Sequence, residues 1–105
     1  MAGVLELKLK NAGFDVKNAF SGDEAIDFLG EEVFDLVLLD LMMPGKDGFS
    51  VLSEMRENRV ETPVIILSNL GQKEDFEKAK KLGAIDYFVK SNISINEIIK
   101  KIQKL

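Results

Sequence analysis

At 105 residues, 46% hydrophobic and 30% charged, the chain is long enough for one hydrophobic core, too short for two, and too apolar to be disordered. Its 14 lysines and arginines against 18 aspartates and glutamates leave a net charge of −4, which argues against a direct nucleic-acid partner, because binding a phosphate backbone needs a cationic surface. Cysteine and histidine are both absent, so disulfides, thiolate zinc sites and histidine-based nucleophile systems are excluded; carboxylates, hydroxyls, lysines and hard metal ions must carry any chemistry.

At 4–10, Leu5, Leu7 and Leu9 alternate with Glu6, Lys8 and Lys10. That is strand periodicity, and the segment reads either as a strand at a dimer interface or as a frayed helix remnant. FDVKNAF at 14–20 predicts a strand. Ser21 and Glu24 stand at capping-box spacing and open a helix over 21–29 with apolar positions Ile26, Phe28 and Leu29. In FDLVLLD, 34–40, the unbroken aliphatic run Leu36 to Leu39 reads as an interior strand of a parallel sheet, ending on Asp40. A turn at Pro44 and Gly45 leads to a helix over 48–58 with Asp47 as N-cap and Phe49, Val51, Leu52 and Met55 on one face.

TPVIILS at 62–68 predicts a second buried strand, its proline near the start where a missing donor is tolerated. A helix over 73–82 is stopped by Gly83, and AIDYFVK at 84–90 predicts the next strand. Ser94 and Glu97 repeat the capping-box spacing; Ile95, Ile98, Ile99 and Ile102 give the last helix its buried face, and Lys100, Lys101 and Lys104 suit its negative end. There is no internal repeat, linker or low-complexity stretch, so residues 1–105 read as one domain. No apolar run reaches membrane-spanning length and no signal peptide precedes the domain, which makes a cytoplasmic location the expectation.

Strands separated by helices imply parallel pairing with helices on both faces, and in such sheets ligands collect at the carboxyl ends of the strands. Asp40, Ser68 and Lys90 all stand at such ends. Each also has a plainer reading: Asp40 as a turn former, Ser68 as a turn hydroxyl, Lys90 as a solvated strand end. Tyr87 equally reads as a static, half-buried aromatic. Met42 and Met43 read as packing and loop residues without sulfur chemistry.

DLVLLDLMMPGKDG, then PVIILS, then GAIDYFVKS resemble, in order and spacing, the bacterial response-regulator receiver domain. The resemblance covers residues 4–105. It implies a flavodoxin-like (CheY-like) fold, Asp40 as phosphoacceptor, Ser68 as the hydroxyl that moves toward the phosphoryl group, and Lys90 as its ion-pair partner. It further implies Met42 as the donor of a backbone carbonyl to Mg2+, Tyr87 as the aromatic whose rotamer reports the switch, and a signalling surface over 69–105. The implied partner is a histidine kinase or a small phosphodonor.

The beginning, MAGVLELKLKNAGFDV, aligns with the back half of the family's first helix. The first strand and its acidic pair are therefore expected to be missing. A site of Asp40 and one carbonyl is a poor magnesium site, so weak binding and weak phosphorylation are expected. The sheet is expected to be rearranged, with 14–20 pairing directly with 34–40, or covered in a homodimer. Two functions follow: a phosphorylated two-component switch, or a phosphorylation-dead module whose activity is self-association or partner binding. A nucleotide binder ranks below both, because no glycine loop suited to cradling phosphate is present.

Overall fold

The computed structural model describes residues 2–42, 47–69 and 71–105. In chain order its elements are helix α1 (Ala2–Asn11), α2 (Gly22–Glu31), strand β1 (Val37–Leu39), α3 (Gly48–Glu57), β2 (Val64–Ser68), α4 (Lys73–Lys81), β3 (Asp86–Val89), a 3-10 turn (Lys90–Asn92) and α5 (Ile95–Gln103). They fall into two compact units, Met1–Asn18 with Asn92–Leu105, and Ala19–Ser91.

In the first unit α1 packs on α5. The strand reading of residues 4–10 is overturned, since the segment is helical. A helix closes its own backbone hydrogen bonds, whereas a strand needs a neighbour. Here Glu6 and Lys10 form an i,i+4 pair at 3.1 Å, Leu9 is buried while Leu7 stays 59% exposed, and the end is closed by a Schellman turn. In that turn the Phe14 amide donates to the Leu9 carbonyl at 3.0 Å and the Gly13 amide to Lys10 at 3.1 Å, with Gly13 at φ 94°. In α5 the capping box of Ser94 and Glu97 is complete in both directions, and Ile98 and Ile102 are buried.

The expected strand at 14–20 does not form. Its pairing with 34–40 is likewise absent: the ladders are β1 with β2 and β2 with β3. Alternation favours a strand only where a second strand completes the hydrogen bonds. Here the Asn18 amide group turns to Glu6 at 3.4 Å and Phe20 remains 70% exposed.

The second unit holds a parallel sheet in the order β1-β2-β3. The register sets Leu39 opposite Ile66 and Ser68 opposite Val89. Every residue of the central strand β2 is buried, as its unbroken aliphatic run requires. Val64 and Ile66 join Leu39, Leu41, Val51, Leu52, Met55 and Ala79 in one core cluster, while Ile65 and Leu67, alternate residues of the same strand, are buried on the opposite face. Ser21 and Asp47 cap α2 and α3, accepting from the amides of Glu24 and Ser50 at 3.2 and 2.8 Å.

Helix α3 closes like α1, with the Val60 amide donating to Met55 at 2.9 Å, but the left-handed residue is Arg59, at φ 60°. A Cβ in that conformation costs about 1 kcal/mol. Arg59→Gly is therefore expected to raise stability by about that amount, read as a higher urea midpoint at unchanged slope.

Candidate functional site

Parallel strands bring their carboxyl ends to one edge of the sheet. Asp40 directly follows β1, Ser68 ends β2 and Lys90 directly follows β3. Asp40 and Lys90 meet: Lys90 Nζ lies 2.6 Å from Asp40 Oδ2, with about a quarter to a third of each side chain exposed (24% and 31%). The other carboxylate oxygen, Oδ1, accepts the backbone N–H of Met42 at 3.0 Å. Ser68 belongs to the strand between them and is fully buried, 0% exposed. The carboxylate is thus fixed by one ammonium and one amide, each on its own oxygen, while the Met42 side chain stands 65% exposed.

The turn beyond Asp40 depends on Gly48, whose amide donates to the Leu41 carbonyl at 3.2 Å. A Cβ here would sit 2.4 Å from the Asp40 carbonyl oxygen and 2.6 Å from Leu41 Cα. The expected turn at Pro44 and Gly45, and Met43 with it, lie outside the described residues.

Tyr87, in β3, is half-buried. Its ring meets Phe76 of α4 edge-on, 4.4 Å between centroids at 83°. Burial pushes the Tyr87 hydroxyl above its ordinary pKa of 10.0, and the carboxylates of Asp75 and Asp40 push it further. The folded protein thus holds this proton more tightly than the unfolded chain. The associated stability is fully present below pH 10.0 and is lost as pH rises through the folded-state value. With one tyrosine and no tryptophan, absorbance reads this group alone. Its midpoint is expected above 10.0, and Asp40→Asn is expected to lower it part of the way, burial being the larger cause.

Three residues that shape this region escaped sequence reasoning. Gly48 was legible only as the first residue of the helix after Asp47. Asp75 accepts the Gln72 amide at 3.2 Å at the start of α4, hidden because glutamine is not a usual cap. Arg56 donates to the carbonyls of Val60, Leu82 and Gly83 at 2.8, 3.0 and 3.1 Å, and nothing in its sequence neighbourhood signals those partners.

The magnesium ion implied by the resemblance needs several hard oxygen ligands. Both Asp40 oxygens are already engaged, and among the described residues no group of three or more His, Cys, Asp or Glu side chains could hold a metal ion. The donors present do not fit such a centre.

Residues 1–103 match the family described as response regulator receiver domain. Among solved structures, the chain is similar to the receiver domain of the Francisella response regulator 1452, with 36% identity and a TM-score of 0.91, over 98% of this chain and 84% of that one. It is similar to the chemotaxis protein CheY4 of Vibrio cholerae, with 25% identity and a TM-score of 0.85, over 99% and 90%. A LuxR-family DNA-binding response regulator from Staphylococcus aureus matches at 33% identity and a TM-score of 0.73, over 80% and 69%. The fold is the flavodoxin-like α/β arrangement that the resemblance implies. Since the family match runs through every helix and strand described above, the chain belongs to the response regulator receiver domains.

Proposed function

We propose that this domain acts as a switch in two-component signalling, with Asp40 accepting a phosphoryl group from a histidine kinase or a small phosphodonor. The observation that supports this reading is the 2.6 Å pair of Lys90 with Asp40 at the carboxyl edge of a parallel sheet. In the transfer a carboxylate oxygen of Asp40 attacks phosphorus. The bond from phosphorus to the donor's leaving group breaks, its electron pair departs with that group, and an acyl phosphate forms. Lys90 neutralises charge on the transferring oxygens, and the Met42 amide keeps the carboxylate oriented. Ser68, buried at the end of the intervening strand, supplies the hydroxyl that follows the phosphoryl group, and Tyr87 against Phe76 reports the change toward α4. Receiver domains as a family bind Mg2+ and are not generally enzymes in their own right. With no group of three or more His, Cys, Asp or Glu side chains able to hold a metal ion among the described residues, slow transfer and weak metal dependence are expected.

Incubation with acetyl phosphate and Mg2+, followed by intact mass, is expected to show partial gain of one phosphoryl group that Asp40→Asn abolishes. No transfer at saturating donor overturns the reading.

A second reading, a self-associating or partner-binding module without phosphorylation, is favoured by one feature. Among the described residues β1 pairs with β2 alone, so its outer edge presents unpaired backbone groups. The homodimer this reading predicts is checked by solution mass, and a monomer at all concentrations counts against it. No helix among the described residues is long and apolar enough to cross a membrane.

A further inference from the structure

Strand β1 has a strand neighbour on one side, β2. The Val37 amide donates to the Pro63 carbonyl at 2.9 Å, and the register sets Val37 against Val64 and Leu39 against Ile66. Val37 and Leu39 are therefore the residues whose backbone groups face β2. Backbone groups alternate between the two sides of a strand, so the amide and the carbonyl of Leu38 both point away from it. Among the described residues no strand takes them.

Nothing in β1 guards this edge. Val37, Leu38 and Leu39 include no lysine or proline, the residues that commonly blunt an open strand, and such an edge is a template for further pairing. The side chains of Val37 and Leu38 are half-buried and that of Leu39 is buried, so the backbone is already held extended.

The groups on offer select the strand that fits. A residue presenting its amide and its carbonyl to the same side pairs with a second copy of itself across a twofold axis, each amide donating to the other carbonyl. Charge selects the direction. Parallel pairing of two copies in register would bring Asp40 beside Asp40 and Asp35 beside Asp35, like charges one strand spacing of about 4.8 Å apart. Antiparallel pairing about Leu38 sets Asp40 against Leu36 of the second copy and Asp35 against its Leu41. No carboxylate then faces another.

We propose that two copies of this domain join through β1, antiparallel, with Leu38 at the twofold axis, making one six-stranded sheet in the order β3-β2-β1-β1-β2-β3. Six strands is an ordinary size for a sheet. The inference rests on the self-associating reading above and names its interface; it does not depend on phosphorylation of Asp40.

Sedimentation from micromolar to millimolar concentration is expected to show a monomer passing into a dimer. In an equimolar mixture of isotope-labelled and unlabelled chain, a filtered nuclear Overhauser spectrum is expected to connect the Val37 Hα of one copy to the Leu39 Hα of the other, because these two form the close, non-hydrogen-bonded pair next to the axis. A monomer throughout overturns both this inference and the self-associating reading. A dimer without the Val37–Leu39 contact overturns the inference alone. Neither measurement needs a variant to fold. Leu38→Pro removes the outward amide and keeps the bonds to β2, which Val37 and Leu39 make, whereas Leu38→Ala shortens the side chain and keeps the amide. The proline variant is expected to associate about tenfold or more weakly than the alanine variant. Equal association of the two, both with native circular dichroism, overturns the backbone pairing.

Discussion

Gly48→Ala is expected to destabilise the domain by about 2–4 kcal/mol and to displace Asp40. The added carbon would lie 2.4 Å from the Asp40 carbonyl oxygen, 2.6 Å from Leu41 Cα and 3.0 Å from the Asp40 carbonyl carbon. All three are backbone atoms, so no rotamer change relieves the contact. Either the first turn of α3 moves away, breaking the bond from the Gly48 amide to Leu41, or the chain after β1 moves and takes the carboxylate from Lys90. Gly30, within α2, is the control: a Cβ there meets nothing within 4 Å, so Gly30→Ala should stabilise by about 0.5–1 kcal/mol through helix propensity alone. Urea unfolding of the two variants reads the contrast. Loss of phosphoryl acceptance in folded Gly48→Ala, and not in Gly30→Ala, would tie the close approach to the site. Equal stabilities of Gly48→Ala and the parent would refute the packing account.

What could be read from the residues was what depends on near neighbours in the chain. Ser21, Asp47 and Ser94 cap their helices as their side chains dictate, Gly83 stops α4 at positive φ, and the aliphatic runs ending at Asp40 and Ser68 form adjacent strands; the second is buried throughout, whereas the first, read as an interior strand, stands at the edge of the described sheet with only Leu39 buried. Placing Asp40 and Lys90 at one edge followed from parallel topology, and their contact agrees with it. The failures share a different cause. Leu5, Leu7 and Leu9 alternate, and so does part of 14–20, but a strand exists only by virtue of its partner. Alternation over so few residues does not decide between forming a ladder and closing a helix. The Asn-Ala-Gly at 11–13 was in retrospect a helix stop, completed by Gly13. Gly48 acts through close approach and Arg56 through the carbonyls of Leu82 and Gly83, distant in sequence, which no local pattern encodes.

The core beneath the site sets the other large expected effect. Leu52→Ala should cost about 3–5 kcal/mol, a large share of the roughly 5–15 kcal/mol that holds a domain of this kind together. Leu52 is fully buried, 0% exposed, in the cluster where α3 meets Leu39 and Ile66 of the sheet. Truncation leaves a cavity walled by strands that are themselves hydrogen-bonded on the β2 side, so the surroundings cannot collapse cheaply into it. The same helix begins with Asp47 and Gly48, so loosening its inner face also loosens the turn that follows Asp40. Phosphoryl acceptance should therefore decline with the folded fraction as urea is added, the midpoint falling well below that of the parent. This distinguishes Leu52→Ala from Asp40→Asn, which on the proposed function is expected to remove acceptance while leaving the urea midpoint nearly in place, because the Asp40–Lys90 pair is partly exposed and such pairs contribute about 0–1 kcal/mol. A Leu52→Ala midpoint within experimental error of the parent would mean that α3 is not held to the sheet by this face.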